Sequence, residues 1–153
     1  MLRACRTRSA PSEPVSVELR VNRRRILSKE NPPMIQAIIG EAALRQKVGG
    51  VEVMSRQLDS LLHDSAHHQV SFRVVDFEAG ATLAYFFHLI EFGGAKETPV
   101  AAFDAVTGMS FKKSPKDVRE VRDFVESLRV IARTPEDSLE MIRTIRKELS
   151  RDS

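Results

Sequence analysis

The apolar pattern of residues 34–74 constrains the fold more than any other feature of this sequence. Apolar residues recur on one face of a predicted helix, at Val51, Met54, Leu58, Leu61 and Leu62. Val70, Phe72 and Val74 then alternate with polar residues, which is typical of a half-buried strand. The apolar run Met34 to Ile39 precedes the helix and is bounded by Pro and Gly, which suits a buried strand. A strand, a helix and a strand over this length form a crossover unit, so we predict parallel pairing of the two strands.

The rest of the sequence predicts further strands and two terminal helices. Residues 85–92 and 100–106, with the short stretch 109–111, are interpreted as strands whose short connections favour antiparallel pairing. Ser114-Pro115 and Thr134-Pro135 each place a hydroxyl cap before a proline at the first helical position. We therefore predict a mixed α/β fold: a four- to five-stranded mixed sheet with a βαβ crossover, flanking helices and two C-terminal helices. The core residues that we expect are Leu58, Leu61, Phe124 and Leu128.

Length and composition favour a single domain. The 153 residues, 42% of them hydrophobic, suffice for one buried core. Residues 1–14 contain two prolines and no apolar periodicity, so we interpret them as a tail or linker. Residues 15–153 are then the domain, and we predict that it begins with a helix over Val15 to Ser28. No run approaches the roughly 18 apolar residues that span a bilayer. The single cysteine, Cys5, fits a reducing compartment, so we expect a cytoplasmic protein.

The net charge of +3 conceals an uneven distribution. Residues 1–29 hold eight Lys or Arg and two Glu, whereas residues 30–153 hold sixteen Lys or Arg and nineteen acids. Four arginines, Arg20, Arg23, Arg24 and Arg25, form the basic cluster of the N-terminal segment. They are candidates for phosphate contacts on a helix. The alternative is a solvated helix face whose long side-chain stems cover apolar surface.

Catalytic motifs are weak in this sequence. His63 and His67 lie one helical turn apart with Asp64 between them, which superficially resembles a zinc-binding helix, so a metal-dependent enzyme is one alternative function. Their position at a helix end, where the macrodipole favours histidine, explains them without a metal. Glu41 and Arg45 are spaced for a local ion pair. The sequence thus predicts no catalytic residue, no resident metal and no cofactor.

An aromatic cluster, Tyr85, Phe86, Phe87 and Phe92, is the candidate partner surface. Because neighbouring residues of a strand point to opposite faces, each face of the sheet needs a cover. The two C-terminal helices would supply that cover in the simplest arrangement. Otherwise one face would remain open for a partner or a second copy of the chain.

The order of several segments resembles a known family of regulators. These segments are Glu41 to Gly50 (Glu-Ala-Ala-Leu-Arg-Gln-Lys-Val-Gly-Gly), Val70 to Phe77, Phe87 to Phe92, and the two helices that begin at Ser114-Pro115 and Thr134-Pro135. Together they resemble the C-terminal domain of actinobacterial WhiJ-like helix-turn-helix proteins, described as antitoxin-like transcriptional regulators. The resemblance covers roughly Arg20 to Leu149.

The resemblance implies a non-catalytic domain that binds a signal or a partner. The implied partner is a small protein encoded beside the regulator, and DNA would be bound only through a separate helix-turn-helix domain. A full-length regulator and a second copy of the chain are further candidate partners, and we expect no membrane association. The sequence departs from the family in lacking that DNA-binding part and the segment that opens the domain, so a non-functional truncated remnant is a third interpretation. Asp76 also replaces a proline, and Ala102 and Asp104 replace an aromatic residue and a glutamate.

Overall fold

The computed structural model describes residues 24–80, 86–94, 97–105 and 108–151. The chain divides into two compact units, residues 1–35 and residues 36–153. In the first unit, the described part of the helix predicted over Val15 to Ser28 is a short 3₁₀ helix, Arg24–Ser28. Residues 1–23, including the predicted tail, lie outside the described residues.

The predicted crossover is confirmed. Strand β1 (Ile35–Gly40) is followed by a short helix α1 (Glu41–Arg45), helix α2 (Val51–Asp64) and strand β2 (Val70–Val75). β1 and β2 form a two-stranded parallel sheet. Gly49 and Gly50 lie at the entry to α2 and both have positive φ. Residues with L side chains rarely adopt this backbone conformation. The turn into α2 therefore depends on this glycine pair.

The main core lies between this crossover unit and the last helix, α4 (Pro135–Arg151). Its buried members are Leu44, Met54, Leu58, Val74, Ile142, Ile145 and Leu149. The last three recur at helical spacing along α4, so they form the apolar stripe that packs on α2 and β2. Leu58 is fully buried, as predicted, whereas Leu61 is half-buried and packs at the margin of this core.

The connection between the last two helices and the start of α4 form hydrogen bonds with the backbone of β2 at Val74. The Arg133 N–H donates to the carbonyl oxygen of Val74 at 2.9 Å, and the Val74 N–H donates to Ser138 Oγ at 2.9 Å. Ser138 has no exposed surface and its hydroxyl donates to the carbonyl oxygen of Thr134 at 2.7 Å. Backbone groups that would otherwise pair with another strand are thus occupied by the start of α4.

The other three strands form a second sheet. β3 (Phe87–Ile90), β4 (Val100–Ala105) and β5 (Gly108–Lys112) are antiparallel neighbours in that order, so the predicted pairing direction is confirmed. The mixed α/β class is also confirmed, but the described strands fall into two sheets rather than one mixed sheet. The Val74 backbone groups are bonded to Arg133 and Ser138, so a further strand cannot pair with β2 at this residue.

Both predicted helix starts are confirmed. Helix α3 (Pro115–Ile131) is capped by Ser114, whose Oγ accepts from the Asp117 N–H at 3.1 Å. Thr134 Oγ1 caps α4 in the same way, accepting from the Asp137 N–H at 3.1 Å. The buried residues of α3 are Val118 and Val121, whereas Phe124 and Leu128, which we expected in the core, are half-buried. α3 contacts β3 and β4 of the second sheet and also β2 of the first.

No helix among the described residues is long and apolar enough to cross a membrane.

Candidate partner-binding surface

The second sheet has one covered face. Because side chains alternate along a strand, Phe87 and Leu89 share a face with Ala101 and Phe103. The Phe87 ring lies 5.6 Å from the ring of Phe124 on α3 and 6.3 Å from that of Phe103, measured between centroids. This inner face is therefore packed against α3.

The opposite face, which we call the outer face, carries apolar side chains that remain exposed. Its residues are His88 and Ile90 on β3, Val100, Ala102 and Asp104 on β4, and Met109 and Phe111 on β5. Phe111 is 59% exposed, and Ile90 and Met109 are also exposed. Among the described residues, α3 packs on the inner face and α4 packs on α2 and β2, so neither of these two helices covers the outer face.

Phe86 extends the outer face at the start of β3. Its carbonyl oxygen accepts from the Asp104 N–H at 3.0 Å, which continues the β3–β4 pairing by one residue. It lies two positions before His88, so alternation places it on the outer face, and 78% of it is exposed. A phenylalanine ring at this position gains favourable burial only if another molecule covers it.

The structure separates the predicted aromatic cluster. Phe86 is exposed at the outer face, and Phe92, two positions beyond Ile90, is exposed as well. Phe87, also predicted for the partner surface, instead packs toward Phe124 on the covered face. Tyr85 lies outside the described residues. Sequence reasoning missed Ile90, Met109 and Phe111; the period-two alternation along β3 and β5 was the signal that could have found them.

Two positions that depart from the resembled family also lie on this face. Ala102 is covered by its surroundings in the middle strand, and Asp104 is exposed near the end of that strand. Ala102 is a small residue on the middle strand and lies between the larger side chains of β3 and β5. The outer face therefore has a buried alanine at its centre, with the exposed side chains of His88 and Phe111 on either side of it, and carries the Asp104 carboxylate at its margin.

A second aromatic group is exposed on a firmly held turn. The 3₁₀ turn Phe77–Ala79 follows β2, and Phe77 is 61% exposed. The Phe77 N–H donates to Glu41 Oε2 at 3.0 Å, while Asp76 Oδ1 accepts from the Ala79 N–H at 3.0 Å. These bonds fix the backbone on both sides of the exposed ring.

The carboxylates that hold this turn are themselves ion-paired. The predicted pair between Arg45 and the buried Glu41 is confirmed at 2.6 Å, and Arg45 also contacts Glu148 on α4 at 2.8 Å. Asp76 Oδ2 accepts from Arg133 Nε at 2.6 Å. Sequence reasoning missed the partner of Asp76, because 57 positions separate the two residues. These contacts give both carboxylates a structural role.

We expect Asp76 to make stability depend on acid pH. The Arg133 guanidinium, supported by the Ala79 N–H and opposed by burial, holds the pKa of Asp76 below its ordinary value of 3.8. A carboxylate with a lowered pKa in the folded state stabilises the protein above its unfolded pKa, and that stability is lost as the pH falls through the lower folded value. Asp76→Asn should therefore lower the urea midpoint at pH 7, and the difference from the unmodified protein should shrink below about pH 4.

Urea titrations between pH 7 and pH 2 measure this effect, with Asp104→Asn as the control that removes an exposed carboxylate. A loss of stability in Asp76→Asn that stayed constant over the whole range would contradict the assignment.

The other predicted site residues are not brought together. Arg20 and Arg23 lie outside the described residues, Arg24 begins the 3₁₀ helix, and Arg25 is exposed. His63 and His67 have ring centroids 6.3 Å apart in an edge-on arrangement at the end of α2. Among residues 24–80, 86–94, 97–105 and 108–151, no group of three His, Cys, Asp or Glu could hold a metal ion. The geometry therefore gives these two histidines no third ligand within those ranges.

Comparison with known proteins identifies the family of this chain. A family model described as a domain of unknown function (DUF5753) matches residues 1–144. No curated protein and no solved structure matches the chain. Because the match extends over most of its 153 residues, the chain belongs to the DUF5753 family.

Proposed function

We propose that the chain is a non-catalytic domain that binds a protein partner through the outer face, in the manner of the C-terminal domains of antitoxin-like helix-turn-helix regulators. The observation that carries the proposal is the set of exposed apolar side chains on one sheet face: Phe86, Ile90, Met109 and Phe111. Several exposed large apolar side chains on one face, with polar residues such as His88 and Asp104 among them, are compatible with a protein interaction site.

The chemistry of the outer face favours a protein over a small ligand. Aromatic and methionine side chains are enriched at the centres of protein interfaces. A sheet face is open and broad, whereas small-molecule sites are concave and enclose most of the ligand. The order of segments from Glu41 to the last helix supports a regulator, and the partners that we propose are a small protein encoded beside it or a full-length regulator.

The proposal predicts that Phe86 anchors the partner. Phe86→Ser should weaken partner binding by at least about tenfold, since exposed aromatic anchors commonly contribute 2 kcal/mol or more. Immobilised unmodified and Phe86→Ser proteins would be exposed to the same native lysate, and the retained proteins would be quantified by mass spectrometry. The Phe86→Ser protein should fold normally, because surface substitutions change stability by about 0.5 kcal/mol or less.

Phe77→Ser is the matched control, because it removes an equally large exposed ring from the 3₁₀ turn instead of the outer face. Equal retention of the same lysate proteins by the unmodified protein and by both variants would refute the role of the outer face.

A further inference from the structure

β5 has an open edge whose backbone groups can be assigned. The Asp104 N–H donates to the Phe86 carbonyl oxygen, so the backbone groups of Asp104 point toward the β3 side. Successive residues of a strand direct their backbone groups to alternate sides. Ala101, Phe103 and Ala105 therefore bond toward β5, opposite Lys112, Ser110 and Gly108. That assignment leaves the N–H and C=O groups of Met109 and Phe111 pointing away from the sheet. Every residue of β5 is exposed, and no described strand pairs with this edge.

We propose that β5 pairs in antiparallel fashion with β5 of a second copy of this chain, about a twofold axis at Ser110. In that register Met109 of one copy faces Phe111 of the other, and both residues have their backbone groups directed across the interface. The two Met109–Phe111 pairs would exchange four backbone hydrogen bonds. Ser110 would face its own copy as a non-hydrogen-bonded pair, so the register is self-complementary, as a twofold interface requires.

Side-chain chemistry along β5 fits a second copy. Met109 and Phe111 both lie on the outer face, so each cross-strand pair would place a thioether beside an aromatic ring. Lys112 would face Gly108 of the other copy, which has no side chain, so the lysines are not opposed to each other. Like charges directly opposite would destabilise such a pair.

The size of the contact indicates a weak dimer. A five-residue strand pair buries less than the roughly 1,200 Å² of ordinary stable interfaces, which places it among transient contacts. We therefore expect reversible association that increases with protein concentration. The dimer goes beyond the proposed function. It would join the second sheets of two copies through their β5 edges and leave Phe86 and Ile90 of each copy open for another partner.

A cysteine at the twofold axis tests this register. In a Cys5→Ser background, Ser110→Cys would place two thiols on residues whose Cα atoms lie about 4.5 Å apart, within the range that a disulfide needs. Mild oxidation should give a covalent dimer, resolved by non-reducing electrophoresis. Met109→Cys in the same background is the matched control, since its copies would lie more than about 7 Å apart and should cross-link roughly tenfold less.

A proline substitution tests the backbone pairing separately. Phe111→Pro removes an N–H that the fold itself does not use, and prolines are tolerated on edge strands at such positions. Sedimentation should show loss of the dimer, with circular dichroism retained, and Phe111→Ala separates loss of the ring from loss of the N–H. Equal cross-linking of the two cysteine variants, or a monomer at every concentration, would overturn the proposal. The dimer proposal and the partner proposal can fail separately. If Phe86→Ser lost partner binding but still formed the cross-link, the dimer proposal would be unaffected.

Discussion

Replacing Leu58 by alanine should lower the free energy of unfolding by about 2–5 kcal/mol. Leu58 lies on α2 with no exposed surface, in the cluster that joins this helix to α4. The substitution removes apolar burial and leaves a cavity that close-packed neighbours fill only in part. Urea denaturation monitored by circular dichroism measures the loss.

Leu61→Ala is the matched control on the same helix. The change in helix propensity is identical, but Leu61 is half-buried at the margin of the core, so its substitution should cost less, about 1–2 kcal/mol. The difference between the two variants therefore reports burial alone. A larger loss for Leu61 than for Leu58 would mean that α2 presents another face to the core.

Ser138→Ala should lower the free energy of unfolding by about 1–3 kcal/mol, because it leaves the buried Val74 N–H without its acceptor. Helix propensity alone would make this substitution slightly stabilising, because alanine is a better helix former than serine. A measured loss would therefore come from the hydrogen bond to β2. Thermal or urea unfolding of the purified variant gives the value.

Ser127→Ala on α3 provides the comparison for that experiment. Its hydroxyl is exposed and donates to the carbonyl oxygen of Phe124 at 2.7 Å within its own helix, so its removal should change stability by no more than about 0.5 kcal/mol. Equal stability of Ser138→Ala and the unmodified protein would show that water or another group satisfies Val74.

Local signals in the sequence predicted most elements of the fold. The periodicity from Val51 to Leu62 located α2, and the hydroxyl–proline pairs at Ser114 and Thr134 located the starts of α3 and α4. These signals depend on residues within one or two helical turns, so they can be recognised without knowledge of the fold.

The division into two sheets could not be predicted in the same way. It involves a serine in α4 that bonds to a strand 64 positions earlier, and nothing in the surroundings of Ser138 distinguishes it from an exposed helical serine. The ion pair of Asp76 with Arg133 is equally remote in sequence. Long-range polar contacts have no periodic signature, so a single sequence does not reveal them.

The residues of the candidate surface follow only partly from the sequence. The aromatic cluster at residues 85–92 pointed to β3, but strand alternation sends Phe86 and Phe87 to opposite faces. Which face is covered depends on where α3 packs, and that placement is a tertiary property. The contributions of Met109 and Phe111 follow only from the register between β4 and β5.

The position of the last helix in the core has a consequence for how a new molecule folds. Ile142 follows Val74 by 68 positions and Leu149 follows Leu44 by 105, yet all four belong to one buried cluster. Contacts so distant along the chain carry a large loop-closure entropy, which slows folding. At about 5–20 residues per second, several seconds of synthesis separate β2 from α4 on the ribosome. During that interval Leu58 and the Val74 backbone lack their native partners, so each nascent chain passes through a period of exposure to aggregation and proteolysis that ends when α4 docks.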